Sequence, residues 1–179
     1  EDINVKVNVP GSEVLGTDLN PDLNTSTNVS ELNGGAGITA GSFSITDRAG
    51  NTNTVSISSS MTVANVITVI SNASSNLTAS INSSGNGITI TDTSSVITNS
   101  LTVSEVDGGT TALSLGIVGT KDGNIEGMDL NAALSTSTLI SELNGGDGLT
   151  LGDINIINGA ASGAVSLSSA TTIAEVISL

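Results

Sequence analysis

The chain repeats itself, and the distance between the two copies limits what it can fold into. Asp18-Leu19-Asn20 recurs as Asp129-Leu130-Asn131, at an offset of 111 residues. The blocks that share this offset also include Thr25-Ser26-Thr27 with Thr136-Ser137-Thr138, and Ser30-Glu31-Leu32-Asn33-Gly34-Gly35 with Ser141-Glu142-Leu143-Asn144-Gly145-Gly146. Self-similarity at a fixed spacing is typical of a structural unit that is used more than once. We therefore expect two related modules.

One residue is missing from the second copy. Val55-Ser56-Ile57 recurs as Val165-Ser166-Leu167, where the offset is 110 and no longer 111. Loop tips tolerate changes of length better than strands or helices do. We expect the lost residue to come from the tip of a hairpin that precedes Val165.

The repeat divides the chain into four parts. We predict a complete module over residues 18–120, an acidic linker over 121–128, and a second module over 129–179 that stops partway through the repeat. Residues 1–17 would form a leading strand, because Ile3, Val5, Val7 and Val9 alternate with polar residues. We interpret this strand as the end of a preceding module and the whole chain as a fragment of a longer protein.

Hydrophobic periodicity predicts an α+β fold of tandem β-rich modules. Alternation at 43–45, 55–57, 77–81, 88–90 and 101–103 predicts strands, and Thr27 is the expected cap of a short turn that ends at Asn33-Gly34. Val63, Val66, Ile67 and Ile70 fall on one face of a helix. Each module would be a mainly antiparallel sheet with one amphipathic helix on one face. The expected core is Ile45, Val55, Ile57, Val63, Val66, Ile67 and Ile70.

The second module raises a packing question, because it would leave apolar strands and part of a helix uncovered. Thr172 and Glu175 form a T-x-x-E pattern that predicts a capped helix start. We expect this module to be covered by the first module, by the Ile3–Val9 strand or by another chain. Uniform exposure of Ile154, Ile156 and Ile173 would contradict this expectation.

Composition argues against catalysis and against anionic partners. The chain has no His and no Cys, so the usual general base and the strongest nucleophile are both absent. Its net charge of −14 repels nucleic acid and anionic membrane surfaces. Phe43 is the only aromatic residue, whereas ligand pockets rely on aromatic side chains. We predict no enzyme activity, no catalytic, cofactor-binding or metal site, no cofactor, and no nucleic acid, membrane or small-molecule partner.

Two motifs resemble binding loops without completing them. Asp122-Gly123-Asn124-Ile125-Glu126-Gly127 begins like a calcium loop, but Ala133 stands where a bidentate Glu is needed. The glycines of Asn33-Gly34-Gly35 follow the predicted helix turn, so no helix N-terminus faces a phosphate there. We interpret the first motif as part of the linker and the second as a helix stop. Five further aspartates are expected at turns or strand ends on their turn preference: Asp22, Asp47, Asp92, Asp107 and Asp153.

The ordered series of motifs resembles a known family. The blocks 32–38, 43–47, 62–67 and 87–92 are similar in sequence and order to the flagellin hook IN motif, and Leu143-Asn144-Gly145-Gly146 opens a second match. That repeat occurs in flagellins and in the hook-associated protein that caps the filament. The resemblance implies an extracellular, surface-exposed structural domain of a bacterial flagellum. Its partners would be other flagellar subunits or copies of itself.

A second hypothesis comes from a different class of protein. Acidic, Thr-rich and Cys-free tandem modules also suit a large secreted adhesin that binds a surface or host ligand. Helices with heptads at both ends of the full-length gene would favour the flagellar protein, and many further repeats with a surface anchor would favour the adhesin.

Overall fold

The chain, as a computed structural model, is described over residues 21–179. It is mainly antiparallel β-sheet with a few short helices, which agrees with the predicted α+β class. The predicted leading strand lies outside the described residues. Within residues 21–179, no helix is both long enough and apolar enough to cross a membrane.

The strands of residues 41–126 form two sheets, and the expectation of one sheet is therefore wrong. The strands are β1 (Gly41–Thr46), β2 (Thr52–Ile57), β3 (Leu77–Ile81), β4 (Ile88–Asp92), β5 (Leu101–Glu105), β6 (Gly119–Lys121) and β7 (Ile125–Glu126). The first sheet has the order β2-β1-β5-β6 and the second has the order β3-β4-β7. The reason is the connection between the hairpins. Helix α1 (Val63–Ser71) packs against β2 and β3, so β3 pairs with β4 and does not extend the first sheet.

Alternating residues of β1 place their side chains in the core, as the sequence predicts. Phe43 and Ile45 are fully buried, whereas Ser42 and Ser44 point to the polar face and bond to Ser56 and Ser104, both at 2.9 Å. The predicted core residues are all buried except Ile67, which is half-buried.

Helix α1 begins where its cap was predicted. Thr62 is the N-cap, and its hydroxyl accepts a hydrogen bond from the Asn65 N–H at 3.4 Å. The prediction for the earlier turn needs a correction. The 3-10 turn Val29–Glu31 is capped at Asn28, one residue after Thr27, and the Glu31 carboxylate accepts the Asn28 N–H at 3.2 Å.

The cap of α1 gives a first testable prediction. We expect Thr62→Ala to lower the free energy of unfolding by about 1 kcal/mol, because the Asn65 N–H then loses its acceptor. Thr68→Ala is the matched control, since Thr68 lies on the exposed side of the same helix and alanine favours helix. Denaturant unfolding of both variants makes the measurement. Equal losses in the two variants would contradict a capping role.

Residues 121–128 do more than link two modules. Lys121 ends β6, and Ile125 lies in β7, where it pairs with Ile90 of β4 and is buried. The prediction that residues 121–128 form only an acidic linker is therefore corrected, because part of this stretch belongs to two strands. The buried Ile125 side chain explains the difference, because one apolar residue among acidic ones is enough to fix a short edge strand to a core.

Two short elements complete the first repeat, the 3-10 turn Asn33–Gly35 and helix α2 (Thr111–Ser114). The elements that follow repeat the opening turn, the first hairpin and its helix. They are the 3-10 turn Ile140–Glu142, β8 (Asp153–Asn158), β9 (Ala161–Ser166) and α3 (Ile173–Ser178). Ile154 pairs with Val165 as Phe43 pairs with Val55, so the two hairpins share one register. The missing residue therefore falls in the β8–β9 loop. This confirms the prediction of a loss at a hairpin tip.

The second hairpin is not covered by the first repeat. Ile154 is 50% exposed and Ile156 is 57% exposed, whereas their counterparts Phe43 and Ile45 are 0% exposed. Ile173 is half-buried, so exposure is not uniform. The prediction that the first repeat covers the apolar side chains of β8 is therefore wrong. The two other predicted partners, residues 3–9 of the same chain and another chain, stay predictions.

Candidate functional site

The two copies of the repeat meet through a reciprocal pair of backbone hydrogen bonds. The Ala133 N–H donates to the Glu31 carbonyl at 2.7 Å, and the Asp22 N–H donates to the Glu142 carbonyl at 2.9 Å. Ala133 is the counterpart of Asp22, and Glu142 is the counterpart of Glu31. The contact, which we call the repeat contact, therefore has approximate two-fold symmetry, in which each copy presents the same surface to the other.

Each copy holds its own opening turn to its helix in the same way. In the first copy, the N–H groups of Val63 and Ala64 donate to the carbonyls of Thr27 and Thr25, both at 2.9 Å. In the second copy, the N–H groups of Ile173 and Ala174 donate to the carbonyls of Thr138 and Thr136 at 3.0 and 2.9 Å. The repeat contact is thus built on turns that equivalent bonds hold in place in both copies.

The segment that enters the second copy is part of the first copy's core. Leu130 and Ala132 are buried with the first repeat's apolar residues. The Leu130 N–H donates to the Asn86 carbonyl at 2.8 Å, and the Leu130 carbonyl accepts the Asn33 N–H at 2.6 Å. The first repeat is therefore completed by residues that the sequence assigns to the second.

The Asn-Gly-Gly segments are turn ends, as predicted, and they also belong to the repeat contact. Asn33 and Gly34 have φ of 54° and 66°, and Asn144 and Gly145 have φ of 57° and 64°. The Gly34 N–H donates to the Asn131 carbonyl at 2.7 Å, beside the Asn33 bond to Leu130. These two backbone donors are occupied by protein carbonyls, which leaves them unavailable to an anion.

A polar groove of about 220 Å³ follows the repeat contact. Its residues come in equal parts from both copies: Asn24, Ser26, Thr27, Asn28, Glu31, Ser135, Ser137, Thr138, Leu139 and Glu142. Glu31 and Glu142 each close the start of a 3-10 turn, and the Glu142 carboxylate also accepts a hydrogen bond from the Asn24 side chain. Both carboxylates thus hold their own turns, and the Glu142 carboxylate also joins the two copies.

Asp47 is a turn residue, as predicted, but its buried side chain also lies at the centre of a partly buried polar cluster. Its carboxylate accepts hydrogen bonds from the Asn51 N–H at 2.8 Å, the Ser74 hydroxyl at 2.7 Å and the Asn76 side chain at 2.9 Å. Burial alone would raise the pKa of Asp47, but these hydrogen bonds outweigh it and lower the pKa well below its ordinary range. The cluster ties the β1–β2 turn to the loop between α1 and β3.

The other acidic residues singled out by sequence take structural positions. The Asp122 carboxylate accepts a hydrogen bond from the hydroxyl of Ser100, just before β5, and the Glu126 carboxylate accepts one from the hydroxyl of Thr89 in β4, each at 2.5 Å. The loop that resembles a calcium site is therefore bonded to neighbouring parts of the sheets. Asp107 has the positive φ of a turn, at 52°. Asp92 ends β4, where it accepts the Arg48 and Ser94 N–H groups, and Asp153 begins β8. Within residues 21–179, no three potential ligands from His, Cys, Asp and Glu gather around one point.

Sequence reasoning missed the repeat contact, although the repeat itself was plain. A pattern that recurs at a fixed offset shows that two units are alike, but it does not say which surface joins them. The available signal was the apolar Leu130 between Asp129 and Asn131, which recurs as Leu19 in the other copy, since an apolar residue kept in both copies of a polar segment indicates burial.

Comparisons with known proteins leave the chain without an assigned family. No protein-family model, curated protein or solved structure matches it. The resemblance to the flagellin hook IN motif therefore stays a prediction from the sequence.

Proposed function

We propose that the chain consists of tandem structural modules from a bacterial flagellar filament or from its hook-associated cap protein. The observation that carries the structural part is the repeat contact, in which the bonds Ala133–Glu31 and Asp22–Glu142 join two copies through equivalent surfaces. A protein that is assembled from repeats needs such defined contacts between them. Residues 18–120 and 129–179 are the two modules in this proposal.

The polar faces of the sheets support a position at an exposed surface. Hydroxyl pairs cross neighbouring strands at Thr46–Thr52, 2.8 Å, and Thr102–Thr120, 3.2 Å, in addition to the serine pairs of β1. Cross-strand hydroxyl pairs stabilise a sheet while its face stays compatible with water. A net charge of −14 keeps such a surface soluble and discourages unspecific association. Secretion to the flagellum and a role without catalysis are parts of the same proposal.

The flagellar part rests on the ordered motif series, which occurs twice. The modules would project from the filament or its tip and contact other flagellar subunits or copies of the same protein. The alternative is a repeat of a secreted adhesin, which the acidic, Cys-free, Thr-rich composition also fits.

Immunogold electron microscopy of cells that express the parent gene separates the two functions. Antibodies raised against this chain should label flagellar filaments along their length for a filament protein, or only their tips for a cap protein. Cells with the parent gene deleted are the control for specificity. Label on the cell envelope with bare filaments would contradict the flagellar proposal and favour the adhesin.

A further inference from the structure

The end of β5 carries a buried carboxylate oxygen to which no described protein group donates a hydrogen bond. Glu105 is the last residue of β5 and pairs with Phe43, so its side chain lies on the core side of the sheet. The Glu105 Oε1 accepts the Leu113 N–H at 2.7 Å, whereas the Oε2 is buried and has no partner among residues 21–179. Burial without a partner costs free energy, so such an atom indicates a partner from outside the chain, such as an ordered water or an ion.

Two backbone oxygens lie close to the same place. Outside residues 108–110, the three heavy atoms nearest to the position that a Cβ of Gly109 would take are all oxygens. They are the Val106 carbonyl at 3.1 Å, the Glu105 Oε2 at 3.5 Å and the Ser42 carbonyl at 3.8 Å. Because Gly109 has no side chain, these oxygens face a place that a side chain would otherwise fill. Carboxylate and carbonyl oxygens are the ligands that hard cations prefer.

A groove of about 370 Å³ opens beside this place. Its lining includes Ser42 and Gly109, and it also includes Asp107 and Thr111, which lie on either side of Gly109 in the sequence. Asp107 is exposed, with a φ of 52° in the turn after β5, so it brings a second carboxylate to the groove. The Thr111 hydroxyl lies against Gly41, where its oxygen would be 2.6 Å from a Cβ. The groove thus gathers carboxylate, carbonyl and hydroxyl oxygens, and solvent can supply water as a further ligand.

We propose that this groove binds a calcium ion, which is held by the carboxylates of Glu105 and Asp107 together with the carbonyls of Ser42 and Val106. Calcium takes roughly six to eight oxygen ligands in a flexible geometry and accepts carbonyls and water, whereas magnesium demands a nearly ideal octahedron. The irregular turn over residues 106–109 therefore suits calcium better. With two carboxylates the site is weak, and its dissociation constant is on the order of 1 mM, as in extracellular modules.

The sequence carries a signal for this site, although it was not part of the prediction that the chain has no metal site. Glu105-Val106-Asp107-Gly108 places carboxylates at alternate positions before a glycine, much as the motif that begins at Asp122 does. The carboxylates of that motif bond to neighbouring parts of the sheets, whereas Glu105 has one oxygen without a protein partner. Only the fold adds the carbonyl of Ser42, so the ion would join the end of β5 to the start of β1.

Amide NMR of the full chain during a calcium titration tests this proposal. The titration is done in about 0.15 M NaCl, which screens the diffuse attraction between calcium and a chain with a net charge of −14. The amides of Glu105, Asp107 and Gly109 should shift and saturate, with half of the change reached at about 1 mM calcium. Magnesium at the same concentrations should produce smaller shifts that do not saturate. The result does not depend on whether the parent protein is flagellar or an adhesin.

Three variants separate this site from unspecific binding. Glu105→Gln should raise the dissociation constant about tenfold, because it removes one of the two charges while its amide oxygen can still accept the Leu113 N–H. Gly109→Ala should raise it as well, since the added methyl group lies 3.1 Å from the Val106 carbonyl while both carboxylates stay. Gly109 does not have a positive φ, so alanine is compatible with its backbone. Glu126→Gln is the matched control, because it makes the same change at a strand glutamate outside the groove, and it should leave the dissociation constant unchanged.

Three outcomes would overturn the proposal. The first is a set of amide shifts in the unmodified chain that do not saturate or that centre on Asp122 and Glu126. The second is an equal weakening by Glu105→Gln and Glu126→Gln, which would show that only the net charge matters. The third is an unchanged dissociation constant in Gly109→Ala. The amide spectrum also shows whether each variant is folded, and if Glu105→Gln is not, the comparison of Gly109→Ala with the unmodified chain decides the question.

Discussion

Leu130→Ala should lower the free energy of unfolding of the first repeat by about 3 kcal/mol, although Leu130 belongs to the second repeat by sequence. The side chain is 0% exposed within the core that contains Phe43 and Ile90. Its removal loses buried apolar area and leaves a cavity, while the backbone bonds to Asn86 and Asn33 can stay. Denaturant unfolding, followed by amide exchange of β4, measures the loss.

Leu134→Ala is the matched control for Leu130. The two residues share one residue type and one segment, but Leu134 is 46% exposed, so its truncation should change the free energy of unfolding by no more than about 0.5 kcal/mol. Equal effects would contradict the view that the second repeat's opening segment completes the first repeat. An effect of Leu130→Ala confined to the amides of β8 and β9 would contradict it as well.

Asp47→Ala should also destabilise the first repeat, by about 2 kcal/mol, because it removes a buried carboxylate and leaves the partly buried donors of Ser74 and Asn76, together with the Asn51 N–H, without their acceptor. Asp153→Ala removes an exposed carboxylate at the start of β8 and is the control, with an expected change near zero. Unfolding by urea at neutral pH compares the two variants. A loss for Asp47→Ala as small as that of the control would show that the cluster does not stabilise the fold.

The same carboxylate predicts how stability depends on pH. The pKa of Asp47 is lower in the folded chain than in the unfolded chain, so the folded state favours the ionised form. Its contribution is fully present above the unfolded value of about 4 and is lost as the pH falls below it. The unmodified chain should therefore lose stability from about pH 4 downwards more steeply than Asp47→Asn, which cannot ionise. Parallel pH profiles for the two chains would contradict this assignment.

Local structure was largely predictable from the sequence. Alternation located β1 to β5, the spacing of Val63, Val66 and Ile70 located α1, and the T-x-x-E pattern located the cap of α3 at Thr172. These features depend on residues a few positions apart, so the period of the pattern carries the information. Even the residue missing from the second hairpin was placed correctly, because only a loop tolerates the loss without a shift of register.

Contacts between distant segments were not predictable in the same way. Asp47 was predicted to be a turn residue. Its hydrogen-bond partners Ser74 and Asn76 come from another loop, and no sequence pattern near Asp47 predicts these contacts. The sequence of residues 121–128 predicted a linker, because acidic residues and glycines predominate there. Its one buried apolar residue, Ile125, nevertheless fixes β7 to the core. One buried side chain outweighs the local composition once a partner strand is near.

The sequence by itself determined the repeat, the α+β class and the start of each main helix, because these follow from periodic apolar positions and caps within short stretches. Only the tertiary structure decided that the strands form two sheets, that Leu130 completes the core of the other repeat, and that Glu31 and Glu142 take part in a reciprocal contact. Those outcomes depend on which distant surfaces bury the most apolar area and satisfy the most backbone hydrogen bonds together. That choice is made by the whole chain and is not encoded in any one segment.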